Sequence, residues 1–459
     1  MKYHLVPLGC QMNQSDAERI MTVLEDSGFT PCDREEDADL LGVISCSVRQ
    51  RAIDKVYSKI HLWNSWKKHR PLLTFVSGCI LPEDREKLLK RFDLLFTINE
   101  LPQVPDMIRQ YGVTTAAAVQ QRAPLVTPLA QRQYVPTRTG GPHGVPQDIR
   151  EGFWQVQPRY QSEIEAYVPI QNGCDKFCTF CAVPYTRGRE VSRPSEEILQ
   201  EVSRLVNAGF RTITLLGQNV NSYGLDQRSR EIRFSELLRL IGEETRGKPV
   251  WVYFTSPHPR DMGDDVLEVI AEYPTLANQI HLPIQSGDDK VLIRMNRNYR
   301  LQGYRRVVES IRHILPEATL FTDIIVGFTG ETEEQFERTR EAMREFKYNM
   351  AYIAQYSPRP GAASARWADD VPPETKRHRL HVLTEELEHS ALAFNQQLIG
   401  RELPVLIDGY DRKPEYFSGK TEGRIPVRIP RKEGYEPGMF VPVRISAVRP
   451  LSIFGEITE

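Results

Sequence analysis

The chain has 459 residues, with 59 lysines and arginines against 61 aspartates and glutamates, and a formal net charge of −2. A chain of this length can bury the cores of two or three domains, and its balanced charge excludes a protein that binds polyanions through bulk charge. It contains no apolar run long enough to span a membrane and no secretion signal, so we expect a cytoplasmic protein without membrane contact. Its seven cysteines are too few for a disulfide scaffold in a chain this long, which favours metal ligation.

The segment 1–111 is predicted to be an α/β domain with a parallel sheet. The predicted strands are the apolar runs at residues 5–8, 39–45 and 71–77. One predicted helix runs from a cap at Ser15 to Gly28, and a second covers residues 49–68. Since strands and helices alternate, the strands are expected to be parallel, with their C-terminal ends along one edge of the sheet.

A cysteine follows each of these three predicted strands, at Cys10, Cys46 and Cys79. Each alone is typical of a small buried core residue. Together, at the edge where open α/β sheets bind ligands, they favour three ligands of an iron–sulfur cluster that leaves one iron open. Cys32 lies in an acidic stretch and is expected to be a bystander.

Residues 112–160 show neither a helical nor a strand period and are rich in proline, glutamine and arginine. This composition predicts a linker or insert between domains. A solvated linker is favoured over an RNA contact through its arginines.

Three further cysteines lie close together in the chain, at Cys174, Cys178 and Cys181. Their C-x₃-C-x₂-C spacing supplies three thiolates, one fewer than a closed zinc site or a fully ligated cubane requires. A zinc site would need a fourth ligand nearby, and no Cys or His follows until His258, to which we assign no metal. The spacing therefore predicts a 4Fe–4S cluster with one iron open to a small chelating molecule.

Residues 161–398 are predicted to form a partial (βα)₆ barrel. Six strand-like segments alternate with helical ones, at residues 167–171, 212–217, 250–255, 279–284, 320–327 and 351–356. A capping box beginning at Thr332 marks the start of one of the helices. Six such units make an open version of the eightfold barrel, whose chemistry lies at the C-terminal ends of the strands. Polar residues stand at those ends, namely Gln218, Ser256, Gln285 and Ser286. Asp323 lies inside the otherwise apolar strand 320–327, where a charge is costly unless it is paired or functional.

Residues 399–459 are predicted to form a small β-barrel. The predicted strands are residues 405–407, 425–429, 440–445 and 451–457, separated by Gly and Pro. Six basic residues fall on or beside them: Arg424, Arg428, Arg431, Lys432, Arg444 and Arg449. Charge alone leaves open whether they form an RNA-binding face or an ordinary solvated one.

The run CDKFCTFCAVPYTRGRE, from Cys174 to Glu190, resembles the signature of the radical S-adenosylmethionine (SAM) methylthiotransferases. Within that family it is most similar to the branch that modifies dimethylallyladenosine in tRNA. Further segments resemble family motifs, namely GCQMN, LGQNVN, HLPIQSG, TDIIVGF and YSPRPG, and the C-terminal barrel resembles a TRAM domain. The chain departs from the family pattern at Ser256, Thr329 and the residues after Cys79.

The resemblance implies an enzyme that inserts a methylthio group at C2 of N6-dimethylallyladenosine beside the tRNA anticodon. This position is an unactivated C–H bond, which calls for radical chemistry from a cofactor. The implied cofactors are two 4Fe–4S clusters and SAM, one cluster held by each cysteine triplet. The implied partners are tRNA, through its anticodon loop, SAM and an electron donor, and we expect a monomer.

The resemblance also implies roles for single residues. Phe180, Gln218, Ser256 and Gln285 would bind the cofactor, and Gln218, Gln285, Ser286 and Asp323 would take part in catalysis.

Three alternatives remain open at this point. Two are sister methylthiotransferases, one acting on threonylcarbamoyladenosine in tRNA and the other on an aspartate of a ribosomal protein. The third, from another class, is a non-catalytic iron–sulfur protein that binds RNA through its TRAM barrel.

Overall fold

The computed structural model describes residues 1–46, 50–110, 149–150 and 152–458. The chain divides into two compact units. The first comprises Met1–Gln161, Cys181–Arg193 and Arg359–Gly361, and the second comprises Ser162–Phe180, Pro194–Pro358 and Ala362–Glu459.

The elements are numbered in chain order. The strands are β1 (Lys2–Pro7), β2 (Thr30–Pro31), β3 (Leu40–Cys46), β4 (Leu73–Cys79), β5 (Leu94–Leu95), β6 (Glu165–Pro169), β7 (Gln171–Asn172), β8 (Val191–Ser192), β9 (Thr212–Leu216), β10 (Trp251–Phe254), β11 (Gln279–His281), β12 (Thr319–Val326), β13 (Met350–Gln355), β14 (Glu402–Tyr410), β15 (Tyr416–Thr421), β16 (Pro426–Pro430), β17 (Phe440–Arg449) and β18 (Ser452–Ile457). The α-helices are α1 (Gln11–Asp26), α2 (Gln50–Trp66), α3 (Pro82–Leu89), α4 (Val104–Gln110), α5 (Val183–Arg187), α6 (Ser195–Asn207), α7 (Phe234–Thr245), α8 (Asp264–Glu272), α9 (Asp289–Arg294), α10 (Leu301–Ile314), α11 (Glu333–Phe346) and α12 (Pro373–Gln396).

The first unit is built on a parallel sheet of five strands in the order β2-β1-β3-β4-β5, which confirms the predicted α/β fold. β3 and β4 are buried along their whole length because both faces of the sheet are covered. On one face the core includes Ile20 and Leu24 of α1, and on the other it includes Ile60 and Trp63 of α2. Each covering helix follows its strand, as in a right-handed βα repeat.

The prediction that Ser15 caps the first helix is wrong. α1 begins one turn earlier, with Cys10 in the N-cap position, and Ser15 is buried within the helix. The Oδ1 atom of Asn13 accepts a hydrogen bond from the backbone N–H of Cys10 at 3.3 Å, so the amide supplies the cap contact that was assigned to a serine. Gly28 follows the helix with φ +87°, as predicted.

Part of the predicted linker packs into the first unit. Ile149, Phe153 and Trp154 are buried in the same core cluster as α1. The guanidinium of Arg19 lies 5.1 Å from the ring centroid of Phe153. Residues 111–148 and 151 of the predicted linker lie outside the described residues.

The second unit contains the six predicted strands of a partial barrel. They form two parallel three-stranded sheets, β10-β9-β6 and β11-β12-β13, each built from three strands consecutive among the six. A parallel bridge joins Val252 of β10 to Leu276, just before β11. The capping box at Thr332 is confirmed, since its hydroxyl accepts a hydrogen bond from the N–H of Gln335 at 3.3 Å.

The C-terminal residues of the second unit form the predicted small barrel, closed in the order β14-β15-β16-β18-β17. Its interior is filled by Val405, Phe417, Ile429, Val443 and Ile453. Sequence patterning missed β15, whose YFSGKT sequence has only two apolar residues. Among the described helices, none is both long and apolar enough to cross a membrane.

The turn between β15 and β16 joins this small barrel to the partial barrel of the same unit. The carbonyl of Glu422 accepts the hydroxyl of Tyr253 at 3.0 Å, and the carbonyl of Gly423 accepts the hydroxyl of Thr319 at 2.8 Å. Beside the turn, Trp251 meets Phe440 edge to face, with 4.6 Å between ring centroids. The small barrel therefore covers the N-terminal ends of the partial barrel's strands.

Candidate cluster and cofactor sites

Three cysteines meet at the C-terminal edge of the sheet in the first unit. Cys46 and Cys79, the last residues of β3 and β4, are direct register partners, so their side chains lie on the same face. Cys10 stands at the start of α1, where a Cβ added to Gly9 would lie 2.8 Å from the Cβ of Cys46. The convergence expected from the strand order is present, and ligation of a cluster by these residues stays a prediction.

Asn13 ties the three cysteine-bearing loops together. Besides its contact with Cys10, its Nδ2 donates a hydrogen bond to the carbonyl of Ser45 at 2.9 Å. Gly78 passes so close that a Cβ there would lie 3.0 Å from the same Nδ2, and its φ is +96°. One buried amide thus fixes Cys10 and the residues directly before Cys46 and Cys79.

A buried cation approaches this group of thiols. Nε of Arg187, the last residue of α5, donates to the Sγ of Cys79 at 3.0 Å, and the same guanidinium pairs with the buried carboxylate of Asp16. Burial raises the pKa of the Cys79 thiol to about 12, and Arg187 works against that shift. The apolar surroundings therefore disfavour the thiolate that a metal ligand requires, and the guanidinium of Arg187 favours it.

The residues present fit a cluster held by three thiolates. Among the described residues the hydroxyl of Ser77, buried on the same strand face as Cys79, has no hydrogen-bond partner. Such an orphaned polar atom marks a place where a further group would be accommodated. No three His, Cys, Asp or Glu side chains in the described ranges are arranged to hold a single metal ion, whereas the thiolates of a cubane bind separate irons.

Two cysteines of the second triplet, Cys174 and Cys178, are buried in the second unit. Nη1 of the buried Arg297 lies 3.4 Å from the Sγ of Cys178, and its Nη2 donates to the carbonyl of Pro283 at 3.1 Å. Cys181 is half-buried and begins the segment that belongs to the first unit. Each triplet thus has one cysteine whose sulfur lies beside a buried arginine.

Gln218 lies beside the loop that carries Cys174. Its Oε1 accepts the backbone N–H of Gly173 at 2.5 Å, and its side chain is only partly buried. Lys176, two residues after Cys174, is paired with Asp261. These contacts hold the cysteine loop against the C-terminal ends of β9 and β10, the end at which partial barrels carry their chemistry.

Phe180 packs against the far side of the same barrel. Its ring meets that of Phe328 edge to face, with centroids 6.5 Å apart, and both belong to a core cluster with Met295 and Tyr356. The backbone N–H of Thr179 donates to the carbonyl of Met295 at 3.0 Å. The end of the cysteine loop is thereby anchored near the C-terminal end of β12.

Two residues of the predicted cofactor site have a left-handed backbone conformation. Ser256 has φ +60° and Gln285 has φ +66°, and both stand shortly after barrel strands. A non-glycine residue pays about 1–3 kcal/mol for this conformation, which is characteristic of functional sites. Two backbone hydrogen bonds to β12 hold Gln285 in this conformation. Its N–H donates to the backbone carbonyl of Asp323 at 2.8 Å, and its carbonyl accepts the N–H of Ile325 at 3.0 Å.

Ser286 is placed differently from its neighbour. Its side chain is completely buried, lies 3.3 Å from the hydroxyl of Thr339 and accepts the N–H of Asp288 at 3.2 Å. The hydroxyl therefore stabilises the turn that follows Gln285. This geometry favours a structural contribution over the predicted catalytic one, which stays untested.

Asp323 has a partner that sequence analysis did not single out. Its Oδ2 lies 2.7 Å from Nε2 of His281 on the neighbouring strand β11, and the Asp323 side chain is 37% exposed. The ring of Tyr352, which is 53% exposed, lies 5.7 Å from that of His281. The signal was present as a histidine and an aspartate on adjacent predicted strands, but spacing alone does not give their register.

His258 is held in place by hydrogen bonds within the loop that follows β10. Its backbone exchanges two hydrogen bonds with the amide of Asn221, at 2.8 and 2.9 Å, and its Nδ1 accepts the N–H of Arg260 at 3.3 Å. Burial, together with the charge of Arg297, lowers the pKa of His258 to about 2, so the ring is neutral. Asn221, part of the LGQNVN motif, thus fixes the loop after β10.

The basic residues of the small barrel do not all share one environment. Three guanidinium groups lie over aromatic rings of the small barrel itself: Arg428 over Tyr416 and Phe454, Arg431 over Tyr410 and Phe417, and Arg449 over Phe454. We call Arg428, Arg431 and Arg449 the arginine–aromatic cluster. Arg424 does not join it, because its Nη2 donates to the hydroxyl of Thr214 at 2.7 Å and its guanidinium lies 4.0 Å from the ring centroid of Tyr253.

Three family profiles match the chain. They are the Uncharacterized protein family UPF0004 over residues 2–98, the Radical SAM superfamily over residues 168–343 and the TRAM domain over residues 396–458. A tRNA-2-methylthio-N(6)-dimethylallyladenosine synthase of Porphyromonas gingivalis is 36% identical over 466 residues, which cover 100% of this chain and 95% of the relative. A synthase of the same name from Carboxydothermus hydrogenoformans is 38% identical over 91% of each chain.

The chain belongs to this family of radical SAM enzymes. The resemblance inferred from its motifs is confirmed, and membership implies a 4Fe–4S cluster and SAM. Among solved structures, the radical SAM methyltransferase TsrM of Kitasatospora setae, with tryptophan substrate and a SAM analog bound, matches with a TM-score of 0.51 and 15% identity. The match covers 77% of this chain and 72% of the TsrM chain, and this likeness shows the fold alone.

Proposed function

We propose that this enzyme inserts a methylthio group at C2 of N6-dimethylallyladenosine beside the tRNA anticodon. The observation that carries the proposal is the meeting of Cys10, Cys46 and Cys79 at one sheet edge. A radical SAM enzyme that only cleaves SAM needs one cysteine triplet, and this chain has a second. Full-length similarity to synthases named for this product supports the same conclusion.

In this proposal Cys174, Cys178 and Cys181 hold the radical cluster, and Cys10, Cys46 and Cys79 hold an auxiliary 4Fe–4S cluster. When bound, the clusters would supply an electron to SAM and the sulfur atom of the product, and a second SAM would supply its methyl group. The chain buries two cysteines of each triplet and places Arg187 and Arg297 beside one sulfur of each. The electron donor is a separate reductant, and the enzyme acts as a cytoplasmic monomer.

The C-terminal ends of the barrel strands bind SAM and the target base. Gln218, next to Gly173, binds the methionine end of SAM, while Ser256 and Gln285 line the cofactor site at their strand ends. The half-buried pair of Asp323 and His281 contacts the base or ribose, for which it offers a carboxylate acceptor and an imidazole. Bases of single-stranded loops can leave their stack to reach such a site.

The small barrel binds the body of the tRNA. The arginine–aromatic cluster offers cations for phosphates, and the exposed ring of Tyr410 beside Arg431 offers a surface for an unstacked base, the combination used to bind single-stranded nucleic acid. This composition accounts for RNA affinity in a chain whose net charge is only −2.

The test is mass spectrometry of tRNA nucleosides from a strain that lacks the gene. The methylthio group should be lost from dimethylallyladenosine and restored by the wild-type gene but not by Cys174→Ala. Loss of the group from threonylcarbamoyladenosine or from a ribosomal aspartate, with dimethylallyladenosine unaffected, would favour a sister enzyme. Absence of 5′-deoxyadenosine from reduced, reconstituted protein with SAM would favour the non-catalytic alternative.

A further inference from the structure

Helix α1 lies beside the group formed by Cys10, Cys46 and Cys79. Cys10, Asn13 and Asp16 follow one another at intervals of three residues, which places them along one face of a helix. Asn13 holds the Cys10 and Ser45 loops, as described above. Asp16, one turn further along, pairs with Arg187, whose Nε donates to the Sγ of Cys79.

The Asp16–Arg187 pair is costly to bury. The side chains are 0% and 5% exposed, and taking two opposite charges out of water costs several kcal/mol per ion before their attraction is counted. Buried ion pairs are therefore weak sources of stability, and well-packed apolar residues often replace them without loss. The Asp16–Arg187 pair is buried despite this cost, and Nε of Arg187 donates to the sulfur of Cys79. This arrangement indicates that the pair acts on the Cys79 sulfur.

We propose that Arg187 is a positioning residue that sets the reduction potential of the auxiliary cluster through its charge and its hydrogen bond to Cys79, with Asp16 as its counter-charge. This rests on the proposed function, because it requires Cys79 to be a cluster ligand. Reduction potentials of iron–sulfur clusters follow the net charge around them and the hydrogen bonds to their sulfurs. A nearby cation favours the more negative, reduced state, and an anion disfavours it.

The hydrogen bond between Arg187 and Cys79 also anchors the segment that follows Cys181. Arg187 lies in the stretch Cys181–Arg193 of the first unit, which begins with the third cysteine of the radical triplet. The hydrogen bond to Cys79 therefore fixes the chain shortly after Cys181.

The test uses full-length protein carrying Cys174→Ala, Cys178→Ala and Cys181→Ala, so that the auxiliary cluster is observed without the radical cluster. Into this background are introduced Arg187→Gln, Arg187→Lys, Asp16→Asn and, as a matched control, Arg109→Gln. Arg109 is an exposed arginine of the same unit that also pairs with an aspartate, Asp106. Iron content and the midpoint potential, followed by electron paramagnetic resonance during a redox titration, are measured for each.

The two partners should shift the potential in opposite directions. Arg187→Gln should move it to a more negative value, Asp16→Asn to a more positive value, and Arg187→Lys should fall between wild type and Arg187→Gln. Arg109→Gln should leave it unchanged, and iron should stay at about four per chain in all of them. A loss of packing alone would not produce shifts of opposite sign.

Unchanged potentials in Arg187→Gln and Asp16→Asn, or shifts of the same sign in both, would overturn the inference while leaving the proposed function intact. If Arg187→Gln does not retain its cluster, the comparison of Arg187→Lys with Asp16→Asn carries the same sign test. A background protein that binds no iron would overturn the auxiliary cluster itself, and the inference with it.

Discussion

At the scale of single residues, Gln285 combines a strained backbone with a side chain at the end of a barrel strand. If the side chain binds SAM, the backbone strain is retained for function. The variant Gln285→Gly removes both the strain and the side chain, so stability and SAM cleavage should change in different directions. We expect the free energy of unfolding to stay the same or rise by about 1 kcal/mol, because glycine adopts φ +66° without cost, while SAM cleavage falls. Chemical denaturation and 5′-deoxyadenosine production measure the two effects.

Lys347 offers a matched control for this change. It has φ +52° at the C-terminus of α11, away from the strand ends. Lys347→Gly should give the same relief of strain without loss of SAM cleavage. Equal SAM cleavage by Gln285→Gly and wild type would remove Gln285 from the cofactor site.

His258 makes stability depend on pH. Its pKa is about 2 in the folded protein against an ordinary value of 6.5, so below pH 6.5 the unfolded chain binds a proton that the folded protein does not. The neutral ring therefore contributes its full stability above pH 6.5, and that contribution falls as the pH drops through 6.5. Between pH 6.5 and 5.5 the free energy of unfolding of wild type should fall by about 1 kcal/mol more than that of His258→Gln. Urea unfolding at both pH values tests this, and parallel losses in the two proteins would contradict it.

At the scale of elements, the two cysteine triplets belong to different local structures and should be separable. Reconstituted wild type should bind about eight irons, and the variant with Cys174, Cys178 and Cys181 changed to Ala about four. The variant with Cys10, Cys46 and Cys79 changed to Ala should still cleave SAM but yield no methylthio product. Iron analysis and nucleoside mass spectrometry test these expectations. Methylthio product from the variant that lacks Cys10, Cys46 and Cys79 would show that these three cysteines have only a structural role.

Elements with a strong hydrophobic period were predictable from the sequence, and side-chain contacts across elements were not. All six barrel strands were located because each is an apolar run next to a helix. Serine is a common helix cap, which is why the sequence predicts one at Ser15, but the contact of Asn13 with Cys10 depends on the fold of the cysteine loops. The pairing of His281 with Asp323 likewise depends on strand register.

The end of the predicted linker shows the same limit. Residues 112–160 are rich in proline, glutamine and arginine and show no hydrophobic period, so the sequence predicts a segment without a core. Phe153 and Trp154 are buried all the same, because α1 offers an apolar surface and Arg19 stacks on Phe153. The average composition of a segment does not reveal that two of its aromatic residues, Phe153 and Trp154, pack against a helix far away in the sequence.

At the scale of the whole molecule, RNA affinity should come from the small barrel. Changing Arg428, Arg431 and Arg449 to Gln should weaken tRNA binding and reduce the slope of log affinity against log salt by about 2–3, since up to three phosphate contacts are lost. SAM cleavage without RNA should be unchanged. Binding measured at several salt concentrations checks the slope.

Arg424→Gln is the control for that experiment, because Arg424 is engaged with Thr214 and Tyr253. It should lower stability and leave the salt dependence as it is in wild type. A slope reduced as much by Arg424→Gln as by the three changes together would place RNA at a different part of the barrel.

The way the small barrel covers Trp251 and Tyr253 also has a consequence for synthesis on the ribosome. Phe440 and the turn that carries Glu422 are made long after the strand they cover. At ordinary rates of translation the gap between Tyr253 and Phe440 lasts about 10–40 s. During that time Trp251 and Tyr253 lack the cover that Phe440 and the turn carrying Glu422 give them in the finished chain.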